Sequence, residues 1–151
     1  MKSQRVAGDA GARTYVLVLD SGDEAFATIT AFAEDNGLSG ASITAIGAFS
    51  SAKLGWFDFD SKRYKPIAVD EQCEALSLIG DVASGDDGKA SLHLHAVVGL
   101  SDGSTRGGHL MEAVAHPTLE VTITETAAHL RRTRRPELGI ALIDLAASGG
   151  S

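Results

Sequence analysis

The chain has a single cysteine, no excess of positive charge and no apolar run long enough to cross a bilayer. Each absence removes a class of protein. The lone Cys73 excludes an internal disulfide and fits a reducing cytoplasm. Thirteen Lys and Arg against twenty Asp and Glu leave a net charge of −7, which opposes nonspecific attraction to a phosphate backbone, because counterion release needs clustered positive charge. Mean hydropathy is +0.05, and a membrane-spanning helix is not expected. The opening stretch Met1–Arg13 places no apolar core behind its basic start, so no secretory signal is expected and the cytoplasm is the expected location. No internal repeat is visible.

What is present has the balance of one globular domain. At 151 residues, 44% of them hydrophobic and 22% charged, the chain can bury about 68–70% of the surface its unfolded form exposes. Residues 1–12 and 148–151 offer little to bury and are expected to be loosely held around a single domain at 13–147. Tyr15–Leu19 has the apolar content of a buried strand. After it, Ser21 and Glu24 stand at capping-box spacing, and Phe26, Ile29, Phe32 and Ala33 recur at helical spacing up to Asn36-Gly37, a left-handed C-terminal cap. From Ser42 onward the pattern changes to short β-rich runs, Ser42–Ala48, Ala52–Phe59, Tyr64–Val69 and Glu74–Asp81, and Thr118–Glu125 alternates apolar with polar residues. Too few residues separate these runs for helical crossovers, which predicts an α+β fold: a mostly antiparallel sheet of about seven strands with few flanking helices. Gly139–Leu145, apolar on both faces apart from Asp144, is expected as a central or interface strand. One helix covers only part of such a sheet, so a symmetric oligomer is expected to bury the remainder.

The most informative residues are His93, His95 and His109. In a strand, side chains at i and i+2 leave one face of the sheet, so His93 and His95 project together while Leu92, Leu94 and Ala96 point into the core. Ser101-Asp102-Gly103 fits a three-residue hairpin loop with Gly103 in the left-handed region. That loop pairs Leu100 with Ser104 and sets His95 opposite His109 and Leu94 opposite Leu110. A two-residue Asp102-Gly103 turn would slip the register by one and send His109 to the other face. In the first register the three imidazoles converge. Three neutral imidazoles suit a divalent metal, with zinc foremost and nickel, iron or copper as alternatives, and leave a coordination position open for water or a small anionic ligand.

Other residues invite attention. The Arg131, Arg132, Arg134, Arg135 cluster before Pro136 is either a solvated loop or a local basic patch. Trp56, Phe57 and Phe59 are expected in the core or at subunit contacts. Gly107-Gly108 beside His109 marks a bulge, a close approach or room for a neighbouring subunit. An acid or base beside the metal is not identified. Glu112 should face away from His109, and Glu74, Asp58 and Arg106 could reach the site only through the tertiary fold. His116, before Pro117, is expected in a turn, and His129 is expected to be exposed.

Several segments together resemble the plants-and-prokaryotes-conserved (PPC) domain, in its stand-alone bacterial form. They are ITAIGAFSSAKLGWFD at Ile43–Asp58, ALSLIGDVA at Ala75–Ala83, LHLHAVVGLSDGSTRGGHL at Leu92–Leu110 and TLEVTITE at Thr118–Glu125. The resemblance implies an antiparallel sheet flanked by helices and assembly as a homotrimer. Plant members carry the domain behind AT-hook segments in nuclear DNA-binding proteins, but Thr133-Arg134-Arg135-Pro136 lacks the glycine of the Arg-Gly-Arg-Pro core. The histidine spacing also resembles the zinc ligands of acetolactate decarboxylase, whose fold is similar, an analogy at the level of fold. The resulting expectation is a trimeric protein with a three-histidine divalent metal site and a small-ligand-binding or regulatory role. DNA binding, disfavoured by net charge, and a metal-dependent lyase or hydrolase activity are the alternatives.

Overall fold

A computed structural model describes residues 1–9 and 12–149. The order along the chain is β1 (Lys2–Ala7), β2 (Thr14–Leu19), α1 (Ala25–Asp35), β3 (Gly40–Asp58), β4 (Arg63–Val69), β5 (Cys73–Ser84), β6 (Ala90–Gly99), β7 (Thr105–Glu125), β8 (Arg132–Arg135) and β9 (Ile140–Ile143). The fold is α+β, as expected: among the described residues, a seven-stranded sheet in the order β1-β2-β7-β6-β5-β3-β4, every pairing in it antiparallel, and one helix. None of the described helices is long and apolar enough to cross a membrane.

Two long strands organise the sheet. β3 pairs with β5 through its first half and with β4 through its second, while β7 pairs with β6, then with β3 and β2. An added β3–β7 pairing joins strands that the linear order separates, so β3, β5, β6 and β7 close into a ring. The runs Ser42–Ala48 and Ala52–Phe59, the latter without Phe59, belong to one strand of 19 residues, and the Thr118–Glu125 segment is continuous with the second arm of the histidine hairpin in one of 21. Register shifts at Gly47/Phe49, Phe49/Ser51 and Lys53/Leu54 disturb the strict alternation that a long strand would otherwise display. His116, expected in a turn, lies within β7.

Alternation builds the core. Leu17 and Leu19 of β2, Leu92, Leu94, Ala96 and Val98 of β6, and Leu119, Val121 and Ile123 of β7 are buried on one face. The apolar stripe of α1, Ala25, Ile29, Phe32 and Ala33, closes over them, with Phe32 edge-on to Tyr15 at 5.2 Å. The helix begins at Glu24, whose carboxylate accepts from the Phe26 and Ala27 amides and also from Ala113 of β7. The expected Ser21 capping box does not form, because Glu24 itself reaches both orphan donors and Ser21 turns to His116 Nδ1 at 2.8 Å. Gly37 ends the helix at φ 62°, the left-handed position expected for it.

The ends differ from expectation. Lys2–Ala7, expected within a loose tail, is an edge strand on β2. All six of its residues are exposed, so its backbone ladder leaves no apolar pattern to read. Ala10, Gly11, Gly150 and Ser151, part of the ends expected to be loose, lie outside the described residues. Gly139–Leu145 is not a central strand. Ile140–Ile143 pairs only with Arg132–Arg135 in a separate two-stranded sheet, and Leu142, Ile143 and Leu145 are exposed. Ion pairing of Arg135 with Asp144 at 2.9 Å holds this hairpin where apolar burial was expected to.

Candidate metal centre

The turn decides the site. Leu100 donates to Ser104 O at 2.9 Å, Gly103 donates to Leu100 O at 2.9 Å, and Gly103 adopts φ 81°, so the three-residue loop forms. The β6–β7 ladder then places His95 opposite His109. On the other side of β7, His109 pairs with Gly55 of β3, so it occupies the fork where β7 passes from one neighbour to the next. The β6–β7 ladder ends at this pair, and Leu110 is partnered by Leu54 instead of Leu94.

His93, His95 and His109 each offer a ring nitrogen, and these atoms all lie within 4.8 Å of one another. Ring centroids are 5.0 to 5.5 Å apart. His93 Nε2 and His95 Nε2 stand at 3.1 Å, near the roughly 3.3 Å between two nitrogens of a tetrahedral zinc site with Zn–N of about 2.0–2.1 Å. His93 and His109 are half-buried and His95 is exposed, so the cluster is backed by protein and open on one side.

Electrostatics favour neutral rings with free lone pairs at His93 and His109. Burial, reinforced by His93, His95 and Arg132, holds the His109 pKa down to about 4. Burial also lowers His93, with Arg132 and His95 acting in the same direction and Asp81 opposing. His109 Nδ1 is buried and finds no hydrogen-bond partner among the described residues. A buried polar atom without a partner costs about 1–3 kcal/mol. These donors fit a divalent ion.

Glycines set the spacing. A Cβ on Gly80 would fall 1.9 Å from the backbone oxygen of His93, so only glycine lets β5 approach β6 at the first ligand position. A Cβ on Gly108 would lie 2.7 Å from Gly55 O, so this member of the Gly107-Gly108 pair serves a close backbone approach between β7 and β3. Gly55 has a second use: a Cβ there would meet Tyr64 Cδ1 at 2.8 Å. The ring of Tyr64 crosses this vacancy and stacks on His109, centroids 4.7 Å apart and planes 24° apart.

Sequence reasoning missed Tyr64 as part of the site. The available signal was a glycine in β3 beside the single aromatic of β4, visible only once the two registers are known. It also missed Arg132, which is 5% exposed. Arg132 pairs with Asp81, the β5 residue beside His93, and donates to Ser91 O at 2.6 Å. The arginine run is therefore neither wholly solvated nor wholly a patch. Of the two places expected for the aromatic residues, core or subunit contacts, the core does not hold them: Phe59 is exposed, Trp56 is exposed under Lys65 Nζ at 5.1 Å, and Phe57 meets Tyr64 edge-on at 5.0 Å. Glu112 pairs with Lys53 and Asp58 with Lys65, and among the described residues no carboxylate joins the three imidazoles. His129, exposed as expected, hydrogen-bonds Ser39.

Comparison with known proteins places this geometry in a family. No curated protein matches the chain. A plant- and prokaryote-conserved (PPC) protein from Pyrococcus horikoshii is 31% identical, with a TM-score of 0.82 over 92% of this chain and 96% of its own. A protein from Archaeoglobus fulgidus described as metal-containing is 31% identical, with a TM-score of 0.81 over 95% of this chain and 99% of its own. A protein from Bacteroides thetaiotaomicron, provisionally named for DNA binding, is 28% identical, with a TM-score of 0.85 over 93% of this chain and 96% of its own. The Plants and Prokaryotes Conserved (PCC) domain, the family abbreviated PPC above, matches residues 7–127, and the chain belongs to that family.

Proposed function

We propose that this protein is a metal-dependent binding or regulatory protein of the cytoplasm, a homotrimer holding one divalent ion per chain on His93, His95 and His109, zinc in the first instance. The observation that carries the reading is the convergence of three imidazole nitrogens within 4.8 Å, one ring half-buried with an unpartnered nitrogen. Neutral imidazoles from three side chains leave a further position for water or a small anion. The ion would supply Lewis acidity at that position, and the residues supply the cage: Gly80 and Gly108 fix the strand spacing, and Tyr64 fixes the plane of His109. Metal analysis of protein purified without a histidine tag should return about one equivalent of zinc per chain, retained through dialysis and lost in His109→Ala. Retention in that variant, or a trace in the parent, would remove the reading.

Assembly is supported by the sheet's outer face, where Ile46, Leu76, Ile79 and Val97 are each more than two-fifths exposed. Such a cluster of large apolar side chains gives a second copy something to bury. Sedimentation equilibrium should give three times the 15.6 kDa chain mass, and a monomer at all concentrations would exclude the trimer.

DNA binding is the second reading, favoured by the name given to the Bacteroides thetaiotaomicron protein. The residues weaken it. Arg132 is buried on Asp81 and Arg135 pairs with Asp144, which leaves Arg131 and Arg134 of the basic run, on a chain of charge −7.

A further inference from the structure

The cleft over the imidazoles has a second wall, and it comes from the β8–β9 hairpin, beyond residues 7–127 that the family match covers. About 240 Å³ in volume, the cleft is lined by Tyr64, His93 and His109 on the sheet side and by Arg132, Arg134 and Ile140 among the residues of the hairpin. Ligand pockets for drug-sized molecules run to roughly 300–1,000 Å³, so this one suits a ligand of few atoms.

Arg132 anchors the hairpin. Its guanidinium pairs with Asp81 and donates to Ser91 O at 2.6 Å and Ser91 Oγ at 3.3 Å, with the side chain 5% exposed. Its charge is thereby largely balanced, although Nε is buried without a partner among the described residues. Arg134 lies two residues further along β8, on the same face by strand alternation. Its backbone N–H donates to Asp86 Oδ2 at 3.0 Å, which pins the strand, while its guanidinium has no hydrogen bond or ion pair among the described residues. A cationic fork left unpaired in the same cleft as His93 and His109 is an arrangement that an anion completes. Asp81, the acidic residue beside His93, is already taken by Arg132.

We infer that the β8–β9 hairpin forms the anion-binding half of a composite site: Arg134 receives the carboxylate of a small organic acid, one oxygen of which reaches the open position of the ion held by His93, His95 and His109. This rests on the metal reading above. The planar guanidinium matches the two oxygens of a carboxylate, and the size of the cleft favours a small acid over a drug-sized one. The hairpin would then set which acid is accepted, because it contributes the wall facing the ion.

Cobalt(II), whose visible absorption changes when a ligand enters its coordination sphere, gives the test. Tagless protein loaded with cobalt is titrated with acetate, with inorganic phosphate and with imidazole, a neutral ligand that needs no guanidinium. Acetate should perturb the spectrum, and Arg134→Gln should weaken acetate roughly tenfold, the scale of a charge-assisted hydrogen bond, while leaving imidazole unchanged. Arg134 is exposed, so the variant should fold, and Arg131→Gln, which removes an equal charge outside the cleft, should leave acetate binding as in the parent. Equal loss in the two variants would reduce the effect to general electrostatics and overturn the inference. So would unaltered acetate affinity in Arg134→Gln, no response of the parent to acetate, or a response to phosphate alone. In each of those cases imidazole would still report an intact metal centre. Failure of cobalt to bind at all would overturn the metal centre, and this inference with it.

Discussion

The two hairpins that meet over the cleft obey different rules. In β6–β7 the faces follow from alternation: Leu92, Leu94, Ala96 and Val98 are buried, and the residues between them, His93, His95 and Val97, leave the other face. In β8–β9 the relation is inverted, with Arg132 buried while Leu142 and Ile143 are exposed. The first hairpin lies over the core, so each apolar side chain turned outward would lose burial energy and the register has one favourable setting. The second is docked by ion pairs onto the flank of the domain, and its apolar residues have no core to enter. Hydropathy therefore locates a site when the strand carrying it is backed by the core, and fails when a side chain is held by a partner distant in sequence, as Arg132 is by Asp81.

The comparison can be pressed hardest at Gly80. A Cβ placed there would stand 1.9 Å from His93 O and 2.8 Å from Leu94 Cδ2. The obstacle is backbone, so β5 and β6 must separate. Gly80→Ala is expected to destabilise by about 4 kcal/mol or more, in the range reserved for core disruption, and to loosen the histidine cluster with it. Urea denaturation measures the first effect and zinc retention the second. A loss below about 1 kcal/mol would show that the strand spacing at His93 is soft, against the rigid packing expected of a protein interior.

Much of the first hairpin was legible because its determinants are local. Ser101-Asp102-Gly103 specifies the turn, the turn specifies the register, and the register brings His95 to His109. The helix was legible for the same reason, although its cap was not: the spacing assigns the cap to Ser21 with Glu24 as its partner, and contacts with Ala113 and His116, far away in the chain, give it to Glu24 instead. Strand β1 left no trace because its ladder buries no side chain. In the sequence β3 and β7 each show only as shorter pieces, since register shifts break the period of two over which strands are recognised. Tyr64 was hidden by dependence on two registers at once, β3 with β4 and β3 with β7, with Gly55 as the shared position.

The smallest expected effect separates the two hairpins by one substitution made in each. Leu94 is fully buried and Leu142 is 38% exposed. Leu94→Ala removes core atoms and leaves a cavity, at a cost of about 2–5 kcal/mol. Leu142→Ala, on a docked hairpin with solvent beside it, should change stability by no more than about 0.5 kcal/mol. Both are read from urea midpoints at constant slope, at a protein concentration low enough to separate any assembly and again at a high one. A cost above about 1 kcal/mol for Leu142→Ala that appears only at high protein concentration would mean that another copy covers β9. The apolar character of Ile140–Ile143, left without a core inside one chain, would then be explained by burial between chains.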